Sequence, residues 1–161
     1  MSGANLTDTN LSDTNLDGVD LNRVNLSRAR LTGAHVNRTN LLGANLTDAN
    51  LQALDLRTTN MSGANLTRGD LTGVNFTGVN LTGADLTDTK MRGAVLNQAN
   101  LTNTDATGAN LTEVNASGAN LTGANLTGAN GGDVTMVKAD LSGTIWYDGH
   151  TCANPSIGQC L

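Results

Sequence analysis

The C-terminal tail holds the side chains whose types could do chemistry, namely His150, Cys152 and Cys160. A cysteine beside a histidine can act as a nucleophile, but neither an orienting third residue nor a substrate pocket is evident in the sequence. The same three side chains could bind zinc, although they lack the paired spacing of most structural zinc sites. The two cysteines could instead form a disulfide bond. Taken alone, these residues leave the three alternatives open.

No other stretch of the chain carries a catalytic pattern. Many Asn-Leu-Thr triplets match the N-glycosylation pattern, but they recur with a period of five residues and are interpreted as a by-product of that repeat. The glycines follow the same period and form no phosphate-binding loop. His35 is interpreted as a solvated surface residue. We therefore expect no enzyme activity, no catalytic residue, no cofactor and no metal ion.

A five-residue repeat organises the chain and is purest over residues 119–130. It reads small residue, Asn or Asp, large apolar residue, Thr or Ser, and then Gly or a charged residue. In steps of five from Leu6 to Trp146, the large apolar slot holds Leu at twenty of twenty-nine positions, which identifies it as the buried slot. A smaller slot lies two positions earlier, and the frame never slips between Ala4 and Trp146.

The five-residue spacing fits neither a helix nor a continuous strand. A helix would spread the Leu slot around its surface, and a strand would place successive Leu residues on opposite faces. The spacing instead predicts a short extended piece, with the small residue and the Leu both facing inward, followed by a tight turn. Gly at fourteen of these turns supplies the positive φ that a type II turn needs.

The repeat resembles that of the pentapeptide-repeat family over about nine tenths of the chain. This resemblance implies an all-β fold, a right-handed, four-sided parallel β-helix (solenoid) with 20 residues per coil and about seven coils. At a strand spacing of about 4.8 Å, such a rod is about 34 Å long.

Residues twenty positions apart would then stack in columns, and the charges support this. The turn position alternates in sign every twenty residues, through Asp8, Arg28, Asp48, Arg68 and Asp88. Opposite charges are favoured where side chains face each other, so we predict that this charge ladder fixes the register of the coils. One column of the large apolar slot is predicted to form a core stack, made of Leu16, Val36, Leu56, Phe76, Leu96, Ala116 and Met136.

The large apolar slot is weakest late in the repeat. Ala106 and Ala116 replace Leu, and Gly131 leaves its slot empty. A missing buried Leu costs about 2–5 kcal/mol when the space stays open. We therefore predict looser packing across residues 106–135, with Met136 filling part of the space.

The repeat ends near residue 145, so we divide the chain into a repeat domain (1–145) and a C-terminal cap (146–161). The tail is similar to a C-terminal signature of bacterial pentapeptide-repeat proteins, in which Trp, Asp-Gly, Cys, Ser-Ile-Gly and Cys recur in that order. This resemblance implies that Trp146 and Ile157 cover the open end of the core. It also implies that a disulfide between Cys152 and Cys160 closes a short loop.

Composition and charge restrict the function. The chain has 161 residues and a net charge of −5, which argues against direct binding of nucleic acid or anionic membranes. No stretch has the length of a membrane span, so we expect no membrane insertion. We interpret the protein as a non-enzymatic solenoid, a structural or protein-interaction scaffold with an unknown protein partner.

Two alternatives remain for the function. The family resemblance implies that the solenoid could mimic DNA and bind DNA gyrase, as quinolone-resistance members do. A 34 Å duplex carries about twenty phosphate charges, far more than this chain's net charge, which weighs against this alternative. The regular outward columns of Thr and Asn suggest an ice-binding surface as the second alternative.

Oligomeric state and location follow from the two ends. Residues 1–20 carry four acids and no base, whereas residues 21–40 carry four bases and no acid. An uncapped first coil predicts a possible end-to-end homodimer through the N-terminal coil. A native disulfide would indicate an extracytoplasmic compartment, the periplasm or a lumen; without it the protein would be cytoplasmic.

Overall fold

The computed structural model describes residues 1–160. Its regular elements are single-residue β-bridges at every fifth residue from Asn5 to Ile145, and each is followed by a turn. The extended pieces stay this short because a turn interrupts them after three residues. Within residues 1–160, no helix has the length and hydropathy that crossing a membrane requires.

Parallel bridges join residues that are twenty positions apart. The first pair is Asn5 and Asn25, and the last is Asn125 and Ile145. We call each twenty-residue segment a rung, so that rung 1 is residues 1–20 and rung 2 is residues 21–40. Each rung contributes four bridge positions, and its backbone bonds to the rungs before and after it. The chain is therefore a β-helical solenoid in which contacts join neighbouring rungs.

The turns between bridges have the geometry that the glycine pattern predicts. In a typical turn, the Ala124 amide donates to the Leu121 carbonyl at 2.8 Å, and Gly123 has φ of 68°. Non-glycine residues at the same position, such as Asp8 at 59° and Arg28 at 58°, adopt the same left-handed conformation. A positive φ at the third residue defines a type II turn, and it costs an L-residue more than it costs glycine.

The Asn and Thr positions of the repeat stabilise the same turns. The Asn125 side-chain oxygen accepts bonds from the Thr127 amide at 3.1 Å and from the Thr127 hydroxyl at 2.7 Å. Such Asn side chains mimic a backbone turn. The arrangement recurs at Asn75, Asn100 and Asn110, so it explains why Asn-Leu-Thr is so frequent.

The core is a single continuous column of apolar side chains. Phe76 and Leu56 are fully buried, and even Leu16 in rung 1 is only 8% exposed. The other members of the core stack are buried as well: Val36, Leu96, Ala116 and Met136. Packing between successive rungs therefore buries the repeat without any large aromatic cluster.

A small cavity lies where the sequence predicts looser packing. Its volume is about 20 Å³, and it is bounded by Ala106, Ala116, Leu121 and Met136 among other apolar side chains. A space of this size can hold about one water molecule, but an apolar lining gives such a water no partner. The two alanines therefore leave a dry void that costs contacts with the surrounding side chains.

Tyr147 fills the slot that Gly131 leaves empty. A Cβ placed on Gly131 would lie only 2.6 Å from Tyr147 Cε2 and would also overlap Cζ and Oη of the ring. The expectation of an empty slot here is wrong, because the aromatic ring folds back from the cap onto the glycine. The Tyr147 hydroxyl is buried without a hydrogen-bond partner, and desolvation raises its pKa to about 12.

Candidate functional site

The cap brings the two cysteines of the tail together as a disulfide. The Cys152–Cys160 Cα atoms lie 5.0 Å apart, and Cys152 is 2% exposed. The Cys152 amide donates to the Thr144 carbonyl at 2.8 Å, which ties the loop to the end of the repeat. Neither cysteine is free. The oxidised cap therefore offers no thiolate to act as a nucleophile.

His150 lies directly against this disulfide. Its Nε2 is 3.1 Å from Cys160 Sγ, and its Nδ1 contacts the Asp148 carboxylate. The His150 backbone and side-chain hydrogen bonds hold the pKa of the Asp148 carboxyl below its usual value. The ligand atoms of His150, Cys152 and Cys160 all lie within 4.8 Å of one another. The three residues singled out in the tail are thus gathered at one place.

The two residues expected to cover the core behave differently. Trp146 is partly buried and packs against the core, with its ring centroid 4.4 Å from that of Tyr147. Ile157 is 53% exposed, so the expectation that it covers the core is wrong. Ile157 forms an antiparallel bridge with Asp140, which occupies an outward slot of the repeat. Bridged residues face the same side, so the Ile157 side chain also faces outward.

The charge ladder forms two separate ion pairs. Arg28 contacts Asp8 with bonds of 2.6 and 2.7 Å, and Arg68 contacts Asp48 with bonds of 2.9 and 2.8 Å. The guanidinium groups lower the pKa of both carboxyls. Asp88, the fifth residue of the ladder, forms no ion pair within residues 1–160. Both pairs are exposed, so each contributes little to stability.

Three exposed arginines without an ion pair belong to rung 2. Arg23, Arg30 and Arg38 are exposed and form no ion pair within the described residues 1–160. The remaining arginines of the chain each contact a carboxylate, namely Arg28, Arg57, Arg68 and Arg92. Rung 2 therefore carries the guanidinium groups of the solenoid that are left free to bind another carboxylate.

The bridge ladder is interrupted once, beside this rung. Within residues 1–160, each bridge position from Asn5 to Asn125 pairs with the position twenty residues later, except that His35 does not pair with Asp55. The Arg38 amide donates instead to the Thr58 hydroxyl at 2.9 Å, and the Asn37 amide donates to the Asp17 carboxylate at 2.6 Å. The Thr58 side chain thus replaces the backbone partner of Arg38, and at the Asn37 amide Asp17 takes the place of the Asn side chain that caps this amide in other turns.

Thr58 accounts for the interruption. It is the turn residue of its pentapeptide, and among the turn residues from 3 to 143 it alone lacks a positive φ. A β-branched side chain is strongly disfavoured in that conformation. The turn therefore takes another path, and the neighbouring backbones separate. A groove of about 460 Å³ lies here, lined by Asp17, Gly18, Asn37, Arg38 and Thr58.

The sequence predicts the basic, acid-free character of rung 2, but the groove beside it was not predicted. The signal was present, because Thr58 is a β-branched residue at a position otherwise filled mostly by Gly, Asp, Asn or Arg. Reading each turn residue for its tolerance of positive φ would have identified it.

Comparisons with known proteins agree with the repeat. The family model for pentapeptide repeats matches in eight copies, over residues 1–23, 25–63, 59–98, 94–130 and 109–145. None of the curated proteins matches the chain. Among solved structures, a trypsin-treated variant of QnrB1, a plasmid-mediated fluoroquinolone resistance protein, has a TM-score of 0.66 and 21% identity, over 89% of this chain and 84% of that chain. At this identity the likeness shows a shared fold alone.

Two further solved structures are pentapeptide repeat proteins by description. HetL from the cyanobacterium Nostoc sp. strain PCC 7120 is 24% identical over 92% of each chain, with a TM-score of 0.35. A protein of the Arabidopsis thaliana thylakoid lumen is 28% identical over 70% of this chain and 68% of that chain, with a TM-score of 0.33. Because the family model matches most of residues 1–145, this chain belongs to the pentapeptide repeat family.

Proposed function

We propose that the protein is a non-enzymatic scaffold that binds a protein partner through rung 2. The observation that supports this is that Arg23 and Arg38, at neighbouring corners of the coil, are exposed and without ion pairs in a rung that has no acid, whereas Arg30 faces the opposite side. Arginine is enriched at protein interfaces because its guanidinium is weakly hydrated and binds carboxylates through two parallel bonds. The partner surface that suits this rung is acidic.

The solenoid supplies a rigid support for such a contact. Backbone bonds join every rung to its neighbours, and the Asn side chains hold the turns. A partner therefore meets arginines whose backbone is already ordered, which lowers the entropic cost of binding. The groove beside Arg38 adds a concave feature to the polar surface of this rung.

Site-specific photo-crosslinking in the native cells tests this proposal. A photoreactive residue at Asn37, in the groove, is expected to yield one discrete adduct. The adduct should disappear when Arg23 and Arg38 are changed to Gln. The matched control is Arg92→Gln, because Arg92 is exposed but already paired with Glu113, in a rung that does not line the groove. Loss of the adduct in the control, or its persistence in the double variant, would contradict the role of rung 2.

We also infer the path of the coil and the boundary between the repeat domain and the cap. Four bridge positions per rung support a four-sided path with about seven coils of twenty residues, and membership of the pentapeptide repeat family supports the right-handed sense. The last parallel bridge pairs Asn125 with Ile145, which supports a repeat domain over 1–145 and a cap over 146–161. A crystal structure tests the path, and limited proteolysis that removes the cap but spares the rungs tests the boundary.

Two proposals concern the surroundings of the protein. An end-to-end homodimer through rung 1 is supported by Leu6 and Leu11, which are only partly buried. A monomer in light scattering at high concentration would exclude it.

An oxidising compartment is supported by the Cys152–Cys160 disulfide. Thiols that react with an alkylating reagent in native cells, before any reduction, would exclude it.

The two alternative functions receive less support. In a DNA mimic the acids must be free, yet Asp8 and Asp48 are neutralised by arginines, and the likeness to QnrB1 extends only to the fold. For ice binding, hydroxyls must face the solvent lattice, yet Thr77 and Thr127 donate theirs to neighbouring Asn side chains. The scaffold remains the function that the surface supports best.

A further inference from the structure

We propose that the cap becomes a zinc-binding site when its disulfide is reduced, with His150, Cys152 and Cys160 as ligands. Their ligand atoms already lie within 4.8 Å of one another. A tetrahedral zinc ion bound by two thiolates holds the sulfurs about 3.8 Å apart, and it takes a histidine nitrogen at about 2.0–2.1 Å. Separation of the two sulfurs by side-chain rotation is therefore the main movement that binding requires.

The histidine is already oriented as a zinc ligand. Its Nε2 faces the sulfur atoms, 3.1 Å from Cys160 Sγ, while its Nδ1 contacts the Asp148 carboxylate. Asp148 also accepts a bond from the His150 backbone amide at 3.2 Å, which fixes the carboxylate beside the ring. A carboxylate on the far nitrogen is the usual second partner of a metal-binding histidine, because it sets the tautomer and the ring orientation.

Backbone bonds hold the cap independently of the disulfide. The Cys152 amide is bonded to the Thr144 carbonyl at 2.8 Å, and the Gly158 amide is bonded to the Ala139 carbonyl at 2.8 Å. Cys152 is therefore anchored directly, and Cys160 follows two residues after an anchored position. Cleavage of the disulfide leaves both sulfurs within reach of the same point.

Zinc binding at the cap requires two steps, reduction of the disulfide and then coordination of the metal ion. A dithiol reductant passes two electrons and two protons to the sulfurs and leaves as its own disulfide. Zn²⁺ then displaces both thiol protons into solvent and binds two thiolates and the neutral imidazole of His150. The site supplies three ligands, and water takes the fourth position. The paired spacing that most structural zinc sites show is absent, but the fold makes up for it by bringing the ligands together.

Cobalt and zinc titrations of the full chain test the proposal. The protein is reduced with a dithiol, desalted without oxygen and titrated with Co²⁺, whose thiolate charge-transfer absorption reports the ligands. We expect one Co²⁺ per reduced chain, displaced by Zn²⁺, and none in the oxidised protein. His150→Ala should weaken binding at least tenfold, and Asp148→Asn should weaken it about tenfold because the ring loses its orienting partner.

The matched control is His35→Ala, which removes the other histidine of the chain, an exposed residue in rung 2. It should bind cobalt as tightly as the unchanged protein. The proposal is overturned if the reduced protein shows no thiolate–cobalt absorption. It is also overturned if His150→Ala binds as tightly as the unchanged protein, because two cysteines of a disordered tail would then explain the signal.

Discussion

Replacing Gly131 with Ala tests the packing of the cap on the repeat. The added Cβ would lie 2.6 Å from Tyr147 Cε2 and would overlap Cζ and the hydroxyl oxygen of the same side chain, so the ring must move. Overpacking of this kind costs about 1–3 kcal/mol. We therefore expect Gly131→Ala to lower the free energy of unfolding by about that amount.

The neighbouring Gly132 provides a matched control. Neither glycine has a positive φ, so neither backbone resists a side chain. At Gly132 the nearest atom is Asn130 Oδ1 at 3.5 Å from the added Cβ, an ordinary contact. Gly132→Ala should then stabilise by about 0.4–1 kcal/mol, because it restricts the unfolded chain. The two substitutions are expected to have opposite signs.

Urea unfolding and a spectroscopic titration measure the two consequences. The chain has a single Tyr, so its absorption change at high pH reports Tyr147 alone. Burial raises the pKa of Tyr147 to about 12, and displacement of the ring should return it toward 10.0. In the unchanged protein, the stability that the neutral Tyr147 contributes is present below pH 10 and is lost as the pH rises toward 12.

Two results would refute this account of the cap. If Gly131→Ala stabilises the protein as much as Gly132→Ala does, the ring does not rest on Gly131. If Gly131→Ala still destabilises in a Tyr147→Ala background, the cost has a different origin, because the double substitution removes the clash.

Three other outcomes follow from the rungs and the cap. Phe76→Ala should lower the free energy of unfolding by about 3–5 kcal/mol in urea denaturation, because Phe76 is fully buried between rungs. Reduction of the Cys152–Cys160 disulfide should cost about 2–3 kcal/mol by the loop-closure model, measured in urea with and without reductant. The amides of Val36 and Asp55 should exchange with deuterium faster than their counterparts one rung later, because the ladder is open there.

Much of the fold could be predicted because the repeat constrains every rung in the same way. The large apolar slot identified Phe76 and the rest of the core stack, and the alternation of Asp8 with Arg28 gave the twenty-residue register. Both inferences depend on periodicity, which a single sequence shows directly. The family resemblance supplied the solenoid itself, since spacing alone gave only extended pieces and turns.

The cap resisted prediction because it leaves the repeat. Without a period, nothing in the sequence sets which way Ile157 faces, and its antiparallel bridge to Asp140 turns it outward. Similarly, no local pattern shows that Tyr147 folds back over Gly131, because this contact joins the cap to the previous rung. The groove was missed for a different reason. Thr58 can be recognised as a poor fit for a positive φ, but the result, loss of the bridge between His35 and Asp55, involves two rungs.

The pairing of each residue with the one twenty positions later has a consequence for how such a chain can change its length. Removing or duplicating a whole rung joins backbones that already match, and it keeps pairs such as Asn45 with Asn65 in their columns. Removing a single pentapeptide instead shifts every later column by one position and would set Arg68 against a different neighbour. Duplications and deletions of sixty nucleotides, one whole rung, are therefore the length changes that keep every side-chain column intact.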